Sequence, residues 1–249
     1  MRISEDFFSI QGEGPTMGVP AYFVRLQHCN LICGGRRAEL LLSGRASWYC
    51  DTERVWREGK EVSNNQLIDK FQANGQLENI LDGTTHIIWT GGEPTLPNNV
   101  RGITEFLDYT LKRYGGNNIF SEIETNGTVE TPIDFYRDNI NQINCSPKLA
   151  NSGMTSDRRI NPKALNQIIA RPYSYFKFVV SKEEDVLEAQ RSYIHPFKIP
   201  KTHVYLMPGV DKLGDLSERT RFVYDMAKKY NYRATTRGQV LAWDRTTGV

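Results

Sequence analysis

Six short runs rich in β-branched and aromatic residues recur along the chain: AYFVRL (21–26), THIIWT (85–90), IFSEIET (119–125), INQINCS (140–146), YFKFVVS (175–181) and THVYLMP (202–208). Each has the length and composition of a strand. Amphipathic stretches with helix signals lie between them. Ser63 followed by Gln66 is a capping-box pattern, and Gly75 suits the far end of that helix. Residues 102–114 put Ile103, Phe106, Leu107 and Leu111 on one face, and LSERTRFVYDMAKKYN does the same with Leu216, Phe222, Val223 and Met226. Strands alternating with helices predict parallel βα units, hence an α/β fold in the form of a partial or modified TIM-like (βα)6 barrel. In such a barrel the chemistry gathers at the C-terminal ends of the strands. The unusual tracts of this chain stand there: HCNLIC after AYFVRL, GGEP after IIWT, NGT after IET and SPK after INC.

Nothing in the 249 residues reads as a linker, so residues 1–249 are expected to form a single domain. With 31 Lys+Arg against 29 Asp+Glu, scattered along the chain, the net charge of +2 is too balanced to draw nucleic acid. No run approaches transmembrane length, and MRISEDFFSIQGEG has neither the apolar core of a secretory signal nor the composition of a transit peptide. Four cysteines without an export signal point to a reducing compartment, here the cytoplasm, where thiols serve metals or chemistry more often than disulfides.

Three of the four cysteines fall in one loop. Three residues separate Cys29 from Cys33, and sixteen separate Cys33 from Cys50. A single free cysteine is ordinarily a core residue; three in a Gly- and Arg-containing loop after a strand are a ligand pattern. Zinc would need a fourth donor, His28 or Cys145. An iron–sulfur cluster on three thiolates would leave one iron without a protein ligand.

The second pattern resembles the radical S-adenosylmethionine (SAM) signature, whose last two cysteines normally stand two residues apart. Here residues 34–49 interrupt that gap, and removing fourteen of them restores it. Across nearly its whole length the chain resembles the 7-carboxy-7-deazaguanine synthase family, on SIQGEGPTMGVPAYFVRLQHCNLIC, YCDTE, WTGGEPTL, IETNGT, SPKL, KFVV, and LAW with GV at the end. The resemblance implies a radical SAM barrel with a [4Fe–4S] cluster, S-adenosylmethionine and Mg²⁺. It implies ring contraction of 6-carboxy-5,6,7,8-tetrahydropterin to 7-carboxy-7-deazaguanine with loss of ammonia, initiated by a 5′-deoxyadenosyl radical at C6. An electron donor such as flavodoxin and a homodimer are implied as well, with no role for nucleic acid or membrane.

By the same resemblance Cys29, Cys33 and Cys50 hold the cluster, and Thr52 is the Mg²⁺ ligand; a lone hydroxyl beside a substrate carboxylate suits so hard a cation. Gly91, Gly92, Glu93, Asp51, Ser146, Pro147 and Lys148 are assigned to SAM, with Glu93 or backbone carbonyls as acceptors for its amino group. Ile10, Gln11, Gly12, Arg25, Thr90 and the carboxylate of Val249 are assigned to the pterin. Alone, GGEP is an ordinary turn, Ser-Pro-Lys a surface loop and a chain end a frayed one. Arg25, charged within an apolar strand, needs an anion, either bound substrate or a salt-bridge partner such as Glu124. Cys145 is assigned to core packing. Two positions depart from the family's habit: Gln239 stands where relatives commonly have His, and His28 where they have Gly. The competing readings are another radical SAM enzyme, such as a glycyl-radical activating enzyme, and a non-catalytic zinc module. The inserted residues, with Leu40, Leu41 and Leu42, read equally as a lid, a dimer contact or a disordered loop.

Overall fold

The computed structural model describes residues 1–115, 118–210, 212–246 and 248–249. Among the described residues nine strands form one sheet: β1 (Arg2–Ile10), β2 (Pro20–Leu26), β3 (Lys60–Glu61), β4 (His86–Gly91), β5 (Ser121–Thr125), β6 (Gln142–Cys145), β7 (Ser174–Val180), β8 (Val204–Pro208) and β9 (Arg233–Ala234). Their order is β3-β1-β2-β4-β5-β6-β7-β8-β9. Every neighbouring pair from β2 to β9 is parallel, whereas β1 runs antiparallel to both β2 and β3. A helix precedes each parallel strand after β2: Asn64–Ala73, Pro97–Tyr114, Phe135–Asn139, Pro162–Ile169, Glu183–Ala189 and Leu213–Tyr230. Six βα units in an open parallel sheet make a partial barrel, as the alternation of runs and amphipathic stretches predicts.

The local signals act as their chemistry requires. Ser63 Oγ accepts from the Gln66 amide at 3.3 Å while Gln66 Oε1 accepts from the Ser63 amide at 2.9 Å, closing the capping box. Gly75 follows the helix end at φ +67°. The second helix starts earlier than residue 102, because Pro97 fits a first turn whose amides have no intrahelical acceptor. Its buried stripe is Ile103, Phe106 and Thr110, spaced three and four apart; Leu111 falls one position past it and is 52% exposed.

Two strand sets escape the pattern of apolar runs. In β1 the register against β2 shifts between Ile3 and Glu5, and this bulge breaks the in–out alternation on which strand recognition depends. Strands β3 and β9 have two residues each, too few for any period.

The sheet divides polar from apolar along each strand. In β5 and β6, Ile123, Ile143 and Cys145 face the main core, where Tyr22, Phe71, Phe106 and Trp89 meet edge to face at 4.5–5.9 Å. The alternate residues Glu122, Gln142 and Asn144 meet one another instead, Glu122 accepting from Asn144 Nδ2 at 2.8 Å and Gln142 Nε2 at 3.1 Å. A buried carboxylate is tolerable only when bonded in this way. The polar face of the strands therefore lines the concavity, and its upper end holds the site.

Candidate functional site

A cavity of about 660 Å³ opens at the C-terminal ends of the strands. Of the residues the sequence singles out for the site, Pro147 alone is not on its wall: Ile10, Gln11, Gly12, Arg25, Cys29, Cys33, Cys50, Asp51, Thr52, Thr90, Gly91, Gly92, Glu93, Ser146, Lys148 and Val249 all line it.

One wall is fixed by the sheet. Leu26 pairs with Gly91, and the Gly92 amide donates to Leu26 O at 2.9 Å, so the ends of β2 and β4 are nearly in contact. The glycines are required by neighbouring backbone. A Cβ on Gly91 would lie 2.4 Å from Leu26 N, and one on Gly92 would lie 1.8 Å from His28 O. Glu93 is 1% exposed, and its carboxylate is committed within the protein. Oε1 accepts from Thr95 Oγ1 at 2.6 Å and Thr125 Oγ1 at 2.7 Å, and Oε2 from the Asn126 amide at 2.7 Å. It thus pins the turn after β5, from which Asn126 Nδ2 reaches Cys29 Sγ at 3.9 Å. The Glu93 carbonyl is engaged as well, by Asn99 Nδ2 at 3.0 Å and the Leu96 amide at 3.3 Å, so the acceptors left open in GGE are the carbonyls of Gly91 and Gly92.

The opposite wall is the cysteine loop. His28 enters it at φ 70°, the left-handed region that favours glycine, while its carbonyl takes the Glu93 amide at 2.7 Å. Closing a sixteen-residue gap between Cys33 and Cys50 instead of a two-residue one costs about 2 kcal/mol more chain entropy. Several ties offset it. The Cys50 amide bonds Cys33 O at 3.1 Å, so the insertion closes at its own base. Gly34 N and Ser47 N bond Ser152 O and Asn151 O, each at 2.8 Å, and Trp48 Nε1 bonds Asn151 Oδ1 at 2.9 Å. Leu40 packs on Gly153, Leu41 lines the cavity, and Leu42 is 83% exposed. The insertion is therefore an ordered flap on the turn after β6, built around the one-turn helix Glu39–Leu42. It also brings Trp48 beneath Lys148, whose ammonium lies 5.7 Å from the ring centroid and 3.0 Å from Ser146 Oγ.

Three thiols open on this cavity. Burial first, then the Glu93 carboxylate, pushes Cys29 up to about 12; burial does the same for Cys33, against the lowering effect of Lys148, and raises Cys50. A metal that binds here must therefore displace tightly held protons. Among the described residues no three His, Cys, Asp or Glu side chains converge closely enough to hold one metal ion. A cubane takes each thiolate on a different iron and so suits the wider spacing. Cys145 lies fully buried in the main core, packed under Gly127, and His28 is exposed and off the cavity wall. The donor set fits a three-thiolate cluster.

Thr52 precedes the short helix Glu53–Trp56 without capping it; its hydroxyl lies 3.4 Å from Cys50 Sγ. Arg25 Nε stands 3.0 Å from Glu5 Oε2, so the nearby anion is Glu5 rather than Glu124, yet neither atom is aligned for a hydrogen bond. Glu124 accepts from Thr90 Oγ1 at 2.8 Å and Gln11 Nε2 at 3.3 Å.

Sequence reasoning missed the floor. Glu13 is paired with Lys177 and accepts from Arg237 Nε at 2.9 Å and Gln239 Nε2 at 2.6 Å. Burial alone would raise the Glu13 carboxyl, but Lys177 and Arg237 outweigh it and hold it far below the carboxylate range. Lys177 was discoverable by the reasoning applied to Arg25, since it is a charge within the apolar run YFKFVVS. Arg237 carries no such signal. Gln239 fills the space a side chain at position 12 would need, its Oε1 2.0 Å from the Cβ that Gly12 lacks.

No family model matches the chain. The 7-carboxy-7-deazaguanine synthase of Pyrobaculum aerophilum is 32% identical over 256 residues, spanning 100% of this chain and 97% of that protein. The enzyme of the same name from Halobacterium salinarum is 28% identical, over 98% of this chain and 91% of that one. Among solved structures, QueE from Escherichia coli superposes with a TM-score of 0.59 at 22% identity, covering 95% of this chain and 93% of that one. The histidine-tagged anSMEcpe with bound AdoMet superposes at 0.55 and 12% identity, covering 91% of this chain and 65% of that one. Both share the fold.

Proposed function

The chain belongs to the 7-carboxy-7-deazaguanine synthase family, and from that premise we propose how its cavity carries the family's reaction. It is a radical SAM lyase of queuosine-type deazapurine biosynthesis, converting 6-carboxy-5,6,7,8-tetrahydropterin to 7-carboxy-7-deazaguanine by ring contraction with loss of ammonia. Three thiolates on a [4Fe–4S] cluster leave one iron for S-adenosylmethionine, and that pair supplies the radical chemistry. The protein's part is to hold, orient and keep water out.

Cys29, Cys33 and Cys50 are the cluster ligands, a role supported by their shared opening on one cavity. The carbonyls of Gly91 and Gly92 accept from the amino group of SAM, while Glu93, its side chain and carbonyl both engaged, holds the turn that presents them. Ser146 and Lys148 face its remaining polar groups, Pro147, buried off the wall between them, fixes their backbone, and Asp51 faces its cluster-proximal end. The backbone of Ile10, Gln11 and Gly12, with Thr90, Arg25 and the Val249 carboxylate, receives the pterin. Arg25 is the residue for the substrate carboxylate because its Nε is buried without a hydrogen bond, and such a donor gains most from an incoming anion. Thr52 is the Mg²⁺ ligand, its hydroxyl free of any capping bond. Residues 1–249 work as one radical SAM domain, cytoplasmic and homodimeric, and take electrons from a donor such as flavodoxin. Among the described residues no helix is long and apolar enough to cross a membrane.

The observation that carries this reading is the convergence of three thiols, the GGE turn, a buried guanidinium and the chain end on one cavity. Anaerobic reconstitution with iron and sulfide, followed by reductant, SAM, Mg²⁺ and the carboxytetrahydropterin, is expected to yield the deazapurine. Metal without acid-labile sulfide would overturn the reading, as would 5′-deoxyadenosine without deazapurine.

A further inference from the structure

We infer that Arg237 is a positioning residue that locks the segment carrying the third cysteine onto the barrel. The inference rests on reading Cys50 as a cluster ligand. Arg237 precedes the helix Gly238–Trp243, far from the cysteine loop in sequence, yet its guanidinium holds three separate segments. Nη2 lies 2.6 Å from Asp51 Oδ2, Nε 2.9 Å from Glu13 Oε1, and Nη1 donates to Val210 O at 2.6 Å. Its side chain is only 15% exposed, and every bond it makes joins a different loop at the mouth of the cavity.

Asp51 directly follows Cys50, so fixing its carboxylate fixes the backbone that aims the Cys50 sulfur. The insertion creates the need. The insertion leaves Cys50 sixteen residues from Cys33, and on the far side of the loop the helix Glu53–Trp56 is a single turn. The bond from the Cys50 amide to Cys33 O ties its N-terminal side. On the C-terminal side the His28 amide bonds Trp56 O at 2.9 Å at the far end of that helix, and Arg237 supplies the tie next to Cys50 itself. A planar guanidinium suits the task because its donors point in fixed directions, which a lysine ammonium does not reproduce. The segment after Arg237 is itself anchored, the Gly238 amide bonding Gly12 O at 2.8 Å, so the tether pulls against the turn that receives the substrate. Residues that hydrogen-bond metal ligands directly cost about 10- to 100-fold in metal affinity when replaced, and a tether one residue removed is expected at the low end of that range.

The test uses anaerobically reconstituted wild type, Arg237→Gln, Arg237→Lys, Asp51→Asn and the Arg237→Gln/Asp51→Asn double variant. Iron release to a ferrous chelator is timed, and the metal-free proteins are melted alongside. Release about 10-fold faster is expected in Arg237→Gln and equally in Asp51→Asn, with no further gain in the double variant and Arg237→Lys in between. Metal-free Asp51→Asn is expected to stay folded and to lose less in melting temperature than Arg237→Gln, because Asp51 is half-exposed and Glu13 remains beside the guanidinium. Unchanged release in either single variant overturns the inference, and so does additivity of the two. If Arg237→Gln does not fold, Asp51→Asn alone decides in the same terms. A wild type that takes up no iron and sulfide sinks the cluster reading itself, and the tether with it.

Discussion

The two walls of the cavity are built differently. The GGE wall is held by strand pairing and by a carboxylate with every oxygen engaged, so its position follows from the sheet. The cysteine wall is held by a few ties to the turn after β6 and to Arg237, and it includes three non-glycine residues at positive φ: His28, Arg37 and Ala38. This site thus combines a rigid half, where one atom too many disrupts the frame, with an adaptable half, which absorbs an insertion while keeping its three cysteines on one cavity.

The largest effect is expected where the walls meet. Gly92→Ala would drive a methyl into the His28 carbonyl and should cost about 4 kcal/mol in urea unfolding. A near-wild-type value would mean that His28 yields and that the junction belongs to the adaptable side. Next is Glu13→Gln, which leaves Lys177 and Arg237 short of an anion and should cost about 3 kcal/mol at pH 7. The Glu13 carboxyl is depressed in the fold, so its contribution is full above the ordinary carboxylate range and is lost as pH falls through and below it. The gap between variant and wild type should therefore narrow on acidification, and a gap that widens would refute the sign. Trp48→Phe removes one hydrogen bond to Asn151 while keeping a ring under Lys148, for a loss of about 1 kcal/mol by denaturant titration. A cost as large as that of Gly92→Ala would make the flap part of the frame. Smallest is His28→Gly, which relieves left-handed strain against added unfolded-state freedom and should gain about 0.5 kcal/mol. His28→Val should instead lose about 1 kcal/mol in the same measurement.

Legibility in the sequence followed range. The six parallel strands and the main helices were readable because a strand or helix announces itself within a few residues, through composition, period and caps. β1 was not, because its bulge scrambles the period at Glu5. The tracts that stand directly after four of the apolar runs contribute to the lining of one cavity. Asn126 was within reach as part of IETNGT, but its contact with Cys29 joins loops 97 residues apart. The ordered flap made by residues 34–49 was unreadable because its partners, Ser152, Asn151 and Gly153, lie beyond four further strands.

By itself, the order of residues determined the alternation of strands and helices, the grouping of three cysteines in one segment and the family to which the chain belongs, since all of these are carried by local spacing. Only the tertiary structure decided that Glu93 braces a turn, that Arg25 lies against Glu5, and that Arg237 holds the residue after Cys50. These are pairings of charges brought together by strand order, and which buried charges meet is a property of the assembled sheet rather than of any one segment.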